Sequence, residues 1–302
     1  MPNITMKEML DAGVHFGHQI HRWNPKMKNF VFGERGGIHI IDLQKSVAGA
    51  QRAVEAVREI AAQGGKMIFV GTKQQAVEPI QEAAKKCGQY FVTKRWLGGM
   101  LTNFQTIKAS IDRLKKLERM KAEGEWTLFS KKEQSKMDKE FTRLVDYLEG
   151  IKDLRGQPSV MFVVDLIKEK IAVAEAKTLG IAVVGIADTN SDPSMIDYPI
   201  PGNDDAIRSI QLFSGLMADA YLEGAKVYEQ KLRTQTDKGS DSQKDSGPKK
   251  SDSKKVEVVK AKVATAPRRL VAAGTAEDVE ISIEVEQGIN DETTTDTDEQ
   301  ES

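Results

Sequence analysis

KMIFVGTKQQAVEPIQEAAKKCGQYFV, residues 66–92, reads as strand, turn, helix and strand in succession. Its first run is apolar with β-branched residues, Val77, Ile80 and Ala84 then recur at helical spacing, Gly88 stops the helix, and YFV (90–92) opens a second short strand. Two strands joined through a covering helix are the unit of a parallel sheet, because parallel neighbours need a long crossover. The same rhythm continues on both sides. SVMFVVD (159–165) and IAVVGIAD (181–188) are strand signals, separated by Ile171, Ala174 and Leu179 at helical spacing and by Gly180. Upstream, IHIID (38–42) is nominated as a strand of the same kind, followed by a helix marked by Val47, Ala50, Val54, Val57 and Ile60 and stopped by Gly64-Gly65. Downstream, YPI (198–200) is a short strand, and a last helix starts after Asn203 or Asp204 and runs through Ile207, Ile210, Phe213, Met217 and Tyr221. The expected fold is a doubly wound α/β domain with a mainly parallel sheet.

Residues 103–150 break this rhythm, with no strand signal and dense charge. Ile107, Ile111, Leu114 and Leu117 lie on one helical stripe, and Met137, Phe141, Leu144 and Leu148 repeat at the four-three spacing of a coiled coil. Ser130 and Glu133 form a capping box that restarts the helix after the GEWTLFS link (124–130). Stripes this narrow bury one seam each, so the pattern predicts an antiparallel helical hairpin protruding from the sheet domain. From Leu232 onward there is no Phe, Trp or Tyr. Residues 231–270 carry 12 basic and 5 acidic groups, whereas 271–302 carry 11 acidic groups and no basic one. Such a segment cannot bury a core and is expected to be a disordered charged tail, with VEISIEVE (279–286) able to add one strand to a partner. The expected organisation is an α/β domain from 1–102 and 151–230 that includes an N-terminal arm, a hairpin insertion at 103–150, and a tail at 231–302.

The 302 residues carry 44 basic and 45 acidic groups, a net charge of -1, which by itself argues against a nucleic-acid partner. The balance is uneven, however: residues 1–230 hold 32 basic and 29 acidic groups, a net of +3. An RNA-binding reading must therefore rest on where the basic residues cluster. Cys87 is the single cysteine, which excludes an internal disulfide and a cysteine-rich metal knuckle and suits a reducing compartment. No apolar run is long enough for a membrane span and no secretion signal is readable, so a soluble cytoplasmic protein is expected.

Two basic-aromatic segments point to RNA. HFGHQIHRWNPKMK (15–28) combines His15, His18 and His21 with Arg22, Trp23, Asn24, Lys26 and Lys28. Arginine and lysine neutralise phosphate, and Trp or His rings can stack on unpaired bases. A zinc site on the three histidines is disfavoured, because i+3 spacing swings them around a helix and no cysteine supports them. Packing of His15, Phe16 and Trp23 onto the domain is compatible with RNA contact, since an arm must be anchored to present its charges. In TKRWLGGMLTN (93–103), Lys94 and Arg95 precede Trp96, and Gly98-Gly99 permits a close backbone approach; hinge packing is an equal reading. VGTKQQ (70–75) lacks the glycine spacing of a phosphate loop or a dinucleotide fold, so Lys73 is read instead as a contact for an RNA phosphate. The acidic loop ADTNSDPSMIDYPIPGNDD (187–205) could suggest an α/β enzyme or a metal-dependent binder of a phosphorylated ligand near Asp188. Turn and capping roles account for most of its carboxylates, and no base or nucleophile accompanies them. A cation at Asp188 and Asp205 stays open.

MLDAGVHFGHQIHRWNPKMKNFVFGERGGIHIIDLQKS (9–46), FVGTKQQA (69–76), RWLGGMLTNFQTI (95–107), DTNSDP (188–193) and IPGNDDAIRSI (200–210) together resemble, in order and spacing, a bacterial small-subunit ribosomal protein family, the second in the standard numbering. The likeness covers residues 4–228. It implies a flavodoxin-like α/β domain with a protruding hairpin, binding to small-subunit ribosomal RNA, and contact with the large ribosomal protein numbered one and neighbouring small-subunit proteins. It implies no enzymatic activity, catalytic residue, cofactor, metal or small-molecule substrate. Carried onto this chain, it implies RNA contacts from His15, His18, Arg22, Trp23, Asn24, Lys26, Lys28, Lys94, Arg95, Trp96, Gly98, Gly99 and Asn103. Nothing transfers to the tail.

Overall fold

The computed structural model describes residues 4–241. Along the chain it forms α1 (Met6–Asp11), β1 (Phe16–Gln19), β2 (Val31–Arg35), β3 (Ile38–Ile41), α2 (Leu43–Ala61), β4 (Met67–Val70), α3 (Val77–Cys87) and β5 (Tyr90–Val92). There follow α4 (Phe104–Ala122), α5 (Lys131–Leu148), β6 (Val160–Val164), α6 (Lys170–Thr178), β7 (Ala182–Ala187), β8 (Tyr198–Pro201) and α7 (Ile207–Asp241).

The main sheet is wholly parallel, in the order β5-β4-β6-β7-β8. This is the flavodoxin-type order, in which the chain steps outward once, crosses back and then advances in the other direction. The reversal lies between β4 and β6. Every residue of β4 and β6 is buried, as expected for strands covered on both faces. Alternate side chains serve opposite layers. Met67, Phe69, Val160, Phe162 and Ile186 pack under α2, α3 and α7, while Ile68, Val70, Met161, Val163 and Val183 pack under α6 and the root of the insertion. Phe69 and Phe162 meet edge to face at 5.8 Å, a preferred aromatic geometry.

IHIID is not a strand of this sheet. Residues Ile38–Ile41 form the middle of a separate antiparallel sheet, β1-β3-β2. The reason is the turn before it: Gly36 and Gly37, with φ of 62° and 78°, link β2 to β3 as a two-residue hairpin. Both positions need the left-handed backbone that such a turn requires and that glycine adopts without strain. The N-terminal arm is thus built on a small antiparallel sheet.

The insertion is the expected helical hairpin, α4 followed by α5. Ile107, Ile111, Leu114 and Leu117 are buried, and the Ser130/Glu133 capping box forms with both reciprocal bonds. Arg113 bridges Glu140 through two bonds of 2.9 and 3.0 Å, and Trp126 closes the far end against Phe141. At the other end of the chain, α7 continues through Asp241, past the boundary expected at residue 230. The remainder of the expected tail, including 279–286, lies outside the described residues.

Candidate nucleic-acid interface

The carboxyl ends of the parallel strands carry the polar groups of the molecule's upper edge. After β4, Thr72 donates from its backbone (2.9 Å) and hydroxyl (2.5 Å) to the buried Glu169 carboxylate, so this strand-to-helix turn is tied to the protein itself. Lys73, expected to meet an RNA phosphate, is turned into a nest of acids instead. Its Nζ lies 2.8 Å from Asp204, 2.5 Å from Asp205 and 3.6 Å from Asp165. Burial disfavours the ammonium, but these carboxylates outweigh it and raise its pKa. Burial and the like charge of Asp188 push Asp204 up to about 7, with Lys73 pulling the other way. Elsewhere in the loop turn chemistry accounts for the acids. Asp192 accepts from the Ser194 backbone, Asp197 from the Val183 backbone, and Asn203 from the amides of Asp205 and Ala206.

The predicted RNA-facing residues divide into two groups. Arg22, Lys26, Lys28, Lys94, Arg95, Gly98 and Asn103 are exposed. Lys26 pairs with Asp192 at 2.5 Å, and Asn103 accepts from the Thr106 hydroxyl. The others turn inward. His15 stacks on Phe16 at 4.0 Å and lines an apolar cleft with Met6, Leu10 and Phe32, where burial lowers its pKa. Trp23 is half-buried against His39. Asn24 donates its backbone amide to Thr189 and caps the turn that presents Lys26 and Lys28. His18 is only 12% exposed, with its two ring nitrogens toward Asp188 and Asp205.

Trp96 is buried, and its indole N–H donates to Glu175 at 3.1 Å. The same carboxylate accepts from the backbone amides of Gly99, Leu101 and Thr102 and from the Thr102 hydroxyl, at 2.7 to 3.1 Å. Glu175 was missed by motif reading, although a glutamate among Ala172, Val173 and Ala176 on the buried face of α6 is itself a signal. The arm and the loop share one foundation. Met27, Trp96, Met100 and Leu101 are buried in a single apolar cluster, with Trp23 packed against it.

Exposed basic residues on the arm and on the loop after β5 thus stand above one buried cluster, and the similarities of the whole chain say which kind of protein this is. Residues 9–224 match the family model described as ribosomal protein S2. The chain belongs to the ribosomal protein S2 family. The small ribosomal subunit protein uS2 of Bdellovibrio bacteriovorus is 63% identical over 305 residues, covering 95% of this chain and 97% of that protein. As a member of the S2 family, the chain is a structural, non-enzymatic component of the small ribosomal subunit, associated there with ribosomal RNA and other ribosomal proteins. No helix among the described residues is long and apolar enough to cross a membrane.

Proposed function

We propose that the protein binds small-subunit ribosomal RNA directly through Arg22, Lys26 and Lys28 on the arm and Lys94 and Arg95 on the loop after β5, with Gly98 and Asn103 at the contact. His15, His18, Trp23, Asn24, Trp96 and Gly99 act beneath them as the fixed supports of that surface. The observation that carries the reading is the anchoring: exposed cations stand on two segments rooted in one buried cluster, so their mutual register is set before RNA arrives. Phosphate contacts of this kind position a protein on a folded RNA, whose shape is then read by backbone and stacking contacts. The reading includes recruitment of the large ribosomal protein numbered one during translation, in the cytoplasm. The hairpin and the apolar cleft beside Phe32, itself 80% exposed, are the surfaces left for protein partners.

Full-length protein and a variant with Arg22, Lys26, Lys94 and Arg95 all changed to Ala should be compared for binding to small-subunit RNA over a salt series. For every phosphate that a cation no longer neutralises, the salt slope falls by roughly 0.7 to 0.9. A variant slope flatter by about three is the expected outcome if these side chains meet phosphates. An unchanged slope would remove them from the interface.

A further inference from the structure

We propose that the outer face of α6 is a docking surface for a helix of a neighbouring small-subunit protein, one whose apolar stripe is bordered by Asp or Glu. It is a third surface for a protein partner, on the layer of the sheet opposite α2, α3 and α7.

Spacing and exposure support this first. Ile167, Ile171, Ala174 and Thr178 follow one another at intervals of four, three and four positions, the alternation that keeps side chains on one line of a helix and lets two helices pack. Ile167 lies in the turn before α6, but that turn already makes a helical bond, from the Glu169 amide to the Asp165 carbonyl at 3.1 Å. The line therefore runs for about three turns, roughly 16 Å. All four residues are exposed, Ile167 at 54% and Ile171 at 59%. One exposed isoleucine is ordinary on a protein surface. Two of them one turn apart, with the small Ala174 next in line to admit a close backbone, form half of a helix-helix seam. The opposite side of the same helix is already occupied. Ala172, Val173 and Ala176 pack in the core, Glu175 holds the loop from Trp96 to Thr102, and Glu169 holds Thr72.

Charge selects the partner. Glu169 and Glu175 are turned inward, at 2% and 8% exposure, so the outer face of this segment carries lysines and no acid. At about 100° per residue, Lys170 and Lys177 border the apolar line on one side and Lys168 on the other. Lys168 donates to the Thr72 carbonyl at 2.9 Å, whereas Lys170 and Lys177 pair with no carboxylate among the described residues. Asp197 shares a cleft with Lys177, but its carboxylate accepts from the Val183 amide at 2.8 Å. Lysines at the borders of an apolar seam match acidic residues at the borders of the facing helix and set its choice. RNA phosphates would satisfy the lysines equally, but they offer two isoleucines nothing to bury against. Here the apolar residues hold the centre of the face and the charges its margin, the anatomy of a protein interface.

The test is made in the assembled small ribosomal subunit. Ala174→benzoylphenylalanine places a photo-reactive group on the exposed line of the full-length chain. After irradiation, the crosslinked product is digested and sequenced by mass spectrometry. The expected product is a protein peptide with apolar residues three or four positions apart and Asp or Glu beside them. A crosslink to RNA, a peptide without that pattern, or no crosslink overturns the proposal. Reassociation of the full-length chain with small subunits lacking it gives a second readout. Ile167→Ser together with Ile171→Ser should weaken association by roughly 10- to 100-fold, the order expected for burying such side chains, and by the same factor at low and high salt. Lys170→Glu together with Lys177→Glu should weaken it mainly at low salt. All four side chains are exposed, so the Tm of each variant should match that of the unaltered chain. Unchanged association in either pair overturns the proposal, and a loss confined to the lysine pair would assign the face to RNA. These outcomes do not depend on the salt slope set by Arg22, Lys26, Lys94 and Arg95, so either reading can fail alone.

Discussion

Glu175 shows how one buried carboxylate can fix the loop after β5. Burial raises its pKa, but the amides of Leu101, Thr102 and Gly99 and the Trp96 indole outweigh that penalty and hold it below the ordinary glutamate value of 4.5. Its contribution to stability is therefore fully present above pH 4.5 and is lost as the pH falls through the lowered folded value. Glu175→Gln keeps the shape but replaces the charge and turns an NH2 group toward donors. A loss of about 2–3 kcal/mol is expected near neutral pH, since hydrogen bonds to charged groups are each worth more than neutral ones. Thermal melts of both proteins over a pH series check this: the gap in Tm should be largest at neutral pH and shrink in acid. Motif reading found Trp96, Gly98 and Gly99 but could not find Glu175, because its partners lie more than seventy positions away in the chain. The same distance hid the company of His18, whose acidic neighbours are brought up by β7 and β8.

Elements whose signal is local were readable; those defined by a partner were not. The runs at 66–92 and 159–188 predict four of the five parallel strands, because strands buried on both faces are nearly all apolar. The coiled-coil spacing and the capping box likewise predict α4 and α5. IHII has the same composition as a buried parallel strand, and only the Gly36-Gly37 hairpin before it places it in the arm. That arm rests on a close approach. A Cβ added at Gly17 would stand 2.6 Å from Thr189 Cγ2 and 3.1 Å from the His39 carbonyl, and Thr189 also receives the His18 amide at 2.9 Å. Gly17→Ala should cost about 1–3 kcal/mol through overpacking and expose the arm to protease while leaving the parallel sheet folded. In the hairpin, Leu114→Ala should cost about 2–5 kcal/mol, whereas loss of the exposed Arg113–Glu140 pair should cost under about 1 kcal/mol. Urea unfolding of the two variants should rank them in that order; equal losses would mean that the seam is not what holds α4 on α5.

Over the whole chain, charge is sorted so that the average misleads. The net of -1 hides a +3 region from 1 to 230, a basic block at 231–270 and an acidic block at 271–302. Ionic strength sets how far these blocks act, since the screening length is about 8 Å at 0.15 M salt and about 30 Å at 0.01 M. Ending the chain at residue 270 removes eleven acidic groups and no basic one, which takes the formal net charge from -1 to +10. If the basic rim meets RNA, the acidic block competes with phosphate for those cations and repels the RNA as it approaches. The shortened chain should therefore bind small-subunit RNA more tightly at low salt, and the advantage should vanish as salt is raised. Electrophoretic mobility shifts at several salt concentrations measure this directly. An affinity gain that persists at high salt would instead indicate that residues 271–302 cover part of the binding surface by contact rather than by charge.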